Sequence, residues 1–268
     1  GIWQNIFGAV AATSDAPVSP PDARLAAPVR RRAPRNWPGL AGLLSIAGGL
    51  LLWELIAVFI VRDKLFLTPP SFIVGRFFQL VGTGEIQKHV LASGLEFALG
   101  FTIAGIAGIL LGLLLASSGL ARTTLNPWVS ALYATPIVAL SPLLILWFGL
   151  GLVSKIVVVF SVAVFPVLVN TQTGIETADE KLVETARAIG ATQRQIFTKV
   201  LLPSALPFIV AGLRLAIGRG LVGVVVAELF GAKEGLGFLI VVSSQTFDMG
   251  ALFEATVIMA VAGVVSTE

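Results

Sequence analysis

Charge is what this 268-residue chain has least of: Lys, Arg, Asp and Glu together make up 12%, against 56% hydrophobic residues. Soluble domains carry about a quarter charged residues, so the chain lacks the polar surface to cover itself in water. Cysteine is absent, which excludes disulfides, thiol nucleophiles and cysteine-ligated zinc or iron–sulfur centres. Histidine occurs once, at His89, which argues against a histidine-clustered metal site. There is no Walker-type phosphate loop, no Ser/His/Asp set and no cluster of metal-ligand spacing, so neither a catalytic constellation nor a bound cofactor is expected. The formal net charge of +3 does not point to nucleic acid, because the basic residues are scattered or sit beside apolar runs.

What the chain has instead is long apolar runs. A hydrocarbon core about 30 Å thick is crossed by about 20 apolar residues in a helix. Segments near 38–61, 90–117, 125–149, 153–174 and 204–230 meet that length, and a sixth begins near 249 and is still apolar at Val265. The expected fold is therefore an all-α membrane protein with about six transmembrane helices over 38–268. An amphipathic piece near 71–82 precedes the second span, and the stretch 236–242 is too short to cross and reads as a re-entrant or surface helix. The sixth span looks short, so the natural chain is expected to run several residues past Glu268 to a Lys or Arg.

Residues 1–37 differ from the rest. Ile2, Trp3, Ile6, Phe7 and Val10 fall on one face of a short amphipathic helix, followed by Pro17, Pro20, Pro21 and Pro28 and the run Arg30–Arg31–Arg32. This reads as a cytoplasmic tail and not a signal peptide, because the basic cluster comes late and the next apolar run has full spanning length. With that tail inside, ten of the 18 Lys and Arg fall on the inner side and six on the outer, Arg214 and Arg219 lying within the fifth span. That bias favours cytoplasmic termini.

The loop between the fourth and fifth spans, 176–202, is rich in charge. Leu182, Val183, Ala186 and Ile189, then Ile196, Phe197, Val200 and Leu201, recur at helical spacing. Gly190 suits a helix C-terminus, Thr192 can cap the next helix, and Pro203 marks entry to the membrane. The pattern alone fits two things: a pair of helices docking into another protein's groove, or an amphipathic linker lying on the bilayer.

Glu184-Thr185-Ala186, three residues, Gly190, nine residues, then Val200-Leu201-Leu202-Pro203, resembles the EAA motif of permease subunits in binding-protein-dependent ABC importers. That motif reads E-A-A, three residues, G, nine residues, I-x-L-P; the departures here are Thr185 and Val200. The stretches ATPIVALSPLLILWFGLG (134–151) and AELFGAKEGLGFLI (227–240) resemble the nitrate, sulfonate and taurine branch. The resemblance implies the type I importer fold in the bacterial inner membrane. It also implies a second copy of the permease, ATPase subunits carrying ATP and Mg, and a periplasmic or lipid-anchored solute-binding protein. In that family the loop sits in a cleft of the ATPase. Carried onto this chain, the coupling positions are Glu184, Ala186 and Gly190, with Gln193 and Arg194 just beyond the break.

Gly100, Ala104, Gly108, Gly112 and Ala116 in the second span, and Gly212, Ala216 and Gly220 in the fifth, recur four apart. They let helices approach closely, within the subunit or along a sliding or subunit-contact surface. Pro136, Pro142 and Pro166 interrupt backbone bonding in the third and fourth spans, as bends or as kinks beside a cavity. Near them Thr135, Ser141, Asn170 and Thr171 are small polar groups suited to an anion path. Arg219 reads as the most deeply placed cation, either facing that path or neutralising Glu228 or Glu254. The rival functions are a secondary transporter and a membrane scaffold, each without an ATPase partner. Orientation is directly testable in a chain without native cysteine. Cysteines at Ala191 and Gly235 should label from opposite sides of the membrane, Ala191→Cys only with reagents that reach the cytoplasm. Labelling of both from one side would put the span count wrong by one.

Overall fold

The computed structural model describes residues 38–62 and 66–267 of a chain that divides into two compact units, 1–47 and 48–268. The expected tail 1–37 lies outside the described residues. In the first unit the described residues, 38–47, form the start of helix α1 (Pro38–Leu55), which a π-helical stretch, Ile56–Val61, extends. In the second unit follow α2 (Pro70–Thr83), α3 (Glu85–Ser117) and α4 (Gly119–Ala134). Next come α5 (Ser141–Phe148), α6 (Leu152–Glu176) and α7 (Glu180–Ala188). The last are α8 (Gln193–Leu229), α9 (Leu236–Gln245) and α10 (Met249–Thr267). The described residues contain no strand.

Five of these helices (α1, α3, α6, α8 and α10) are long and apolar enough to cross a membrane, and α4 with α5 makes six if that bent pair is one span. The expected third span, 125–149, is not continuous. The chain turns by 77° between α4 and the segment that follows, a short 3-10 turn at Ile137–Leu140 leading into α5. Pro136 accounts for the break. It has no N–H to give, and it drives Thr135 into an extended conformation (φ −70°, ψ 132°). Pro142 sits in the first turn of α5, where a missing N–H costs nothing. Pro166 lies inside α6, which runs on unbroken.

Pro203 does not mark a helix start either. α8 runs through it from the loop to Leu229. The residues just before it, Phe197–Leu201, are π-helical, and the Leu202 N–H donates to the Phe197 carbonyl five residues back. A widened turn leaves room for a ring that would otherwise strike the carbonyl four residues earlier.

α6 lies between α3 and α8, and glycines set its distance from both. A Cβ at Gly108 would fall 2.7 Å from Val167 Cβ and 2.9 Å from the Val164 carbonyl oxygen. One at Gly212 would fall 2.8 Å from Asn170 Cβ and 3.0 Å from the Pro166 carbonyl oxygen. Ala104 and Ala216 are fully buried with Ala163, Val164 and Val167. The small-residue stripes are thus surfaces of packing within the subunit, where lipid supplies no hydrophobic drive. Gly108→Leu should lower stability by about 1–3 kcal/mol, the usual cost of overpacking. Gly94→Leu on the same helix, where a Cβ meets nothing within 4 Å, should be near neutral. Thermal unfolding of the detergent-purified protein separates the two; equal melting temperatures would show that the α3 stripe does not set the packing.

Candidate functional site

Residues 177–192 form the expected helix, glycine break and helix start. Asp179 caps α7 by accepting from the Lys181 N–H. At the other end Gly190 adopts φ +83°, a left-handed conformation that glycine takes without strain. There the Gly190 N–H donates to the Arg187 carbonyl and the Ala191 N–H to the Ala186 carbonyl, satisfying acceptors the helix end would leave open. Thr192 then opens α8 with a capping box: its hydroxyl accepts from the Gln195 N–H, and the Gln195 side chain accepts from the Thr192 N–H. Glu184, Gly190, Gln193 and Arg194 are exposed and Ala186 is half-buried. Ile189 stands 81% exposed beside the break, an apolar side chain with no cover among the described residues.

A cavity of about 440 Å³ opens where α4 breaks, between that break, α6 and α8. Thr135, Pro136, Ile137 and Val138 line it from the break, Ser161, Val162 and Phe165 from α6, and Gly218, Arg219 and Val222 from α8, with Tyr133 at the end of α4. The Arg219 guanidinium carbon stands 5.0 Å from the centroid of the Tyr133 ring, whose own neighbour is the Phe165 ring at 5.8 Å. Of the expected path residues, the structure brings together Arg219 and Thr135. Ser141 and Thr171 are wholly buried and do not line the cavity, Thr171 lying against Gly112. Asn170 packs toward α8 at Gly212 and donates its amide to the Pro166 carbonyl.

Arg219 pairs with neither glutamate suggested for it. Arg214 is the other cation of the α8 segment that begins at Leu202. Arg214 is exposed, makes no ion pair among the described residues, and lies about 140° around the helix from Arg219.

At the end of α8 away from the loop, a polar cluster holds the start of α9. The Gly235 N–H donates to His89 Nδ1 (3.0 Å), the Leu236 N–H to Ser93 Oγ (2.8 Å), and the Gly237 N–H to the Glu228 carboxylate. Ser93 in turn donates to the same carboxylate at 2.6 Å. Two glycines make the approach possible: Gly235 has φ +128°, and a Cβ there would fall 2.2 Å from Glu228 Cδ. One turn further along α3, Glu96 pairs with Lys155, both nearly buried. The sequence marks this cluster only by a polar stripe, His89, Ser93 and Glu96, at helical spacing in an otherwise apolar helix. Glu254 lies elsewhere, between α10 and α2, and both its carboxylate oxygens are buried without a hydrogen-bond partner among the described residues.

Residues 108–267 match the model of the family described as binding-protein-dependent transport system inner membrane component. The chain belongs to this family. The permease is 37% identical over 236 residues to a Bacillus subtilis (strain 168) permease named for aliphatic sulfonates transport, covering 88% of this chain and 86% of that one. It is 34% identical over 241 residues to a riboflavin transport system permease of Chloroflexus aurantiacus, covering 87% and 90%. Among solved structures, an amino acid ABC transporter superposes with a TM-score of 0.54 at 19% identity over 71% of this chain and 92% of that one, a likeness of fold. The permease is thus a channel-forming subunit of an ABC importer, a multi-pass component of the inner membrane. Its polar cluster at α9 should be structural. Glu228→Ala orphans the Gly237 N–H and the Ser93 hydroxyl, each at about 1–3 kcal/mol. The variant should therefore melt well below the native permease in detergent, and an unchanged melting temperature would mean that α9 is held otherwise.

Proposed function

We propose that this permease acts with a second copy of itself, ATPase subunits and a periplasmic or lipid-anchored solute-binding protein to import a small organic anion of the sulfonate class. The observation that carries the reading is the continuity of α8. A single helix runs from Gln193, beside the Gly190 break, to Leu229, past Arg219 in the cavity. Arg219 lies 26 residues after Gln193, about 39 Å along the axis. A push on the loop therefore reaches the cavity without passing through a joint.

In this reading the loop faces the cytoplasm, as do the N-terminus and the tail 1–37, and ATP with Mg is bound and hydrolysed on the partner. Glu184 offers a charge-assisted hydrogen bond to the ATPase, Ala186 allows close approach, and Gly190 supplies the turn. Gln193 and Arg194 extend the contact, and exposed Ile189 adds apolar area. The anion assignment draws on the sulfonate name of one relative and on Arg219, the one charged residue in the cavity lining. The riboflavin relative shows that the family's substrates vary. Glu184→Lys and Gly190→Leu should abolish uptake and substrate-stimulated ATP hydrolysis while the protein still inserts in the membrane. Arg194→Ala should cost less, since an exposed charge contributes under about 1 kcal/mol. Normal transport by both loop variants would remove the coupling assignment.

A further inference from the structure

We infer that the cavity at Arg219 is the transport path's selectivity station: it binds the head of an anion whose tail is short and apolar, and it discriminates against zwitterions. Ethanesulfonate fits that description and taurine, its amino derivative, does not. The inference rests on the anion reading above and narrows the substrate within it.

Three features of the lining carry it. The first is a charge without a counter-charge. Arg219 is the sole charged residue around the cavity, and the buried acids of the bundle stand elsewhere. Glu96 is engaged by Lys155, and Glu228 by Ser93 and the Gly237 N–H. Glu254 lies in the groove between α2 and α10. A guanidinium on a membrane-spanning helix demands a partner or water; Arg219 is exposed at the open side of the cavity and has no ion pair among the described residues, so its place there is open to a ligand.

The second feature is how the guanidinium is held. The Tyr133 ring supports it from one side, and its N–H fork, which makes no hydrogen bond among the described residues, is a planar geometry suited to two oxygens of a sulfonate. The Tyr133 hydroxyl makes no hydrogen bond among the described residues, so it offers a further donor from the same wall. Tyr133 is thus a positioning residue for Arg219.

The third is what the remaining walls cannot do. Thr135 and Ser161 spend their hydroxyl protons on the Ala131 and Val157 carbonyls of their own helices. Ile137, Val138, Phe165 and Val222 complete an apolar surface. An alkyl tail gains from that surface, whereas an ammonium group would be stripped of water with no carboxylate to receive it. A volume of about 440 Å³ is within the range of small-molecule sites.

The test uses the whole transporter, permease with its ATPase and binding protein, reconstituted in liposomes, with ATP-driven uptake of labelled ethanesulfonate and taurine as readout. Arg219→Gln should slow ethanesulfonate uptake by about tenfold or more, the loss expected for a charge-assisted bond, and Arg219→Lys should recover part of it. Tyr133→Leu should raise the KM for ethanesulfonate. Val222→Asp should shift the uptake ratio toward taurine, and Ser161→Asp offers a second placement of the carboxylate should the first not fold. Native-like melting temperatures qualify each variant. A folded Arg219→Gln with unchanged uptake overturns the inference, as does a folded carboxylate variant with an unchanged ratio. A native transporter that moves ethanesulfonate no better than taurine, while importing both, overturns the discrimination alone. One that imports no sulfonate at all overturns the anion reading and the inference with it.

Discussion

The close approach of α6 to α3 and α8 is the contact on which the rest of the permease depends. In water, helices are driven together by hiding apolar faces; in a bilayer those faces are content against lipid, and attraction has to come from short-range fit. Gly100, Gly108 and Gly112 on one side and Gly212 and Gly223 on the other supply it, bringing Val159, Val167 and Thr171 of α6 nearly onto their neighbours' backbones. Dispersion contacts are individually tiny and fall off steeply, so a gap of an ångström along these seams forfeits much of the attraction. Because α6 and α8 are fixed so tightly, the cavity walls they carry are fixed too: Ser161 and Phe165 from one helix, Gly218 and Arg219 from the other.

Polar satisfaction is the second constraint, and it falls hardest on α9. A helix that begins inside a membrane protein presents backbone N–H groups that water would ordinarily take. His89, Ser93 and Glu228 take three consecutive ones, from two helices that are distant in sequence. The arrangement also explains the glycines at 235 and 237, whose missing side chains are the space the carboxylate occupies. At the other end of the bundle Arg122 pairs with Glu176, tying the start of α4 to the end of α6. Glu54 of α1 accepts from both the N–H and the hydroxyl of Ser71, and so caps α2.

Much of this was legible in the sequence where the controlling interactions are local. The loop could be read residue by residue, because the cap at Thr192, the left-handed turn at Gly190 and the periodicity on either side all act within a few positions. The apolar lengths placed most ends of five helices within a few residues, though α3 begins at Glu85 and not near 90, and α8 at Gln193 and not near 204. Prolines were harder. Pro136, Pro166 and Pro203 carry the same local penalty, and only the surroundings decide that the first breaks the chain while the last is absorbed by π turns. Ser141, Asn170 and Thr171 are small and polar near those prolines, yet a helix has several faces, and theirs point into the packing. The role of Glu228 was out of reach of pairwise reasoning, since Ser93 lies 135 residues away.

The π-helical stretch at Phe197–Leu201 gives α8 a property beyond stiffness. A π turn holds one more residue than the α turn it replaces, so its creation or removal turns everything downstream by about 100° relative to what precedes it, with an axial shift of only about 1.5 Å. This stretch stands between the loop helix and the part of α8 that carries Gly212, Arg219 and Glu228. Any such turn would have to carry Gly212, Arg219 and Glu228 round together, so the seam with α6 and the bonds to α9 lock the π stretch in its present register.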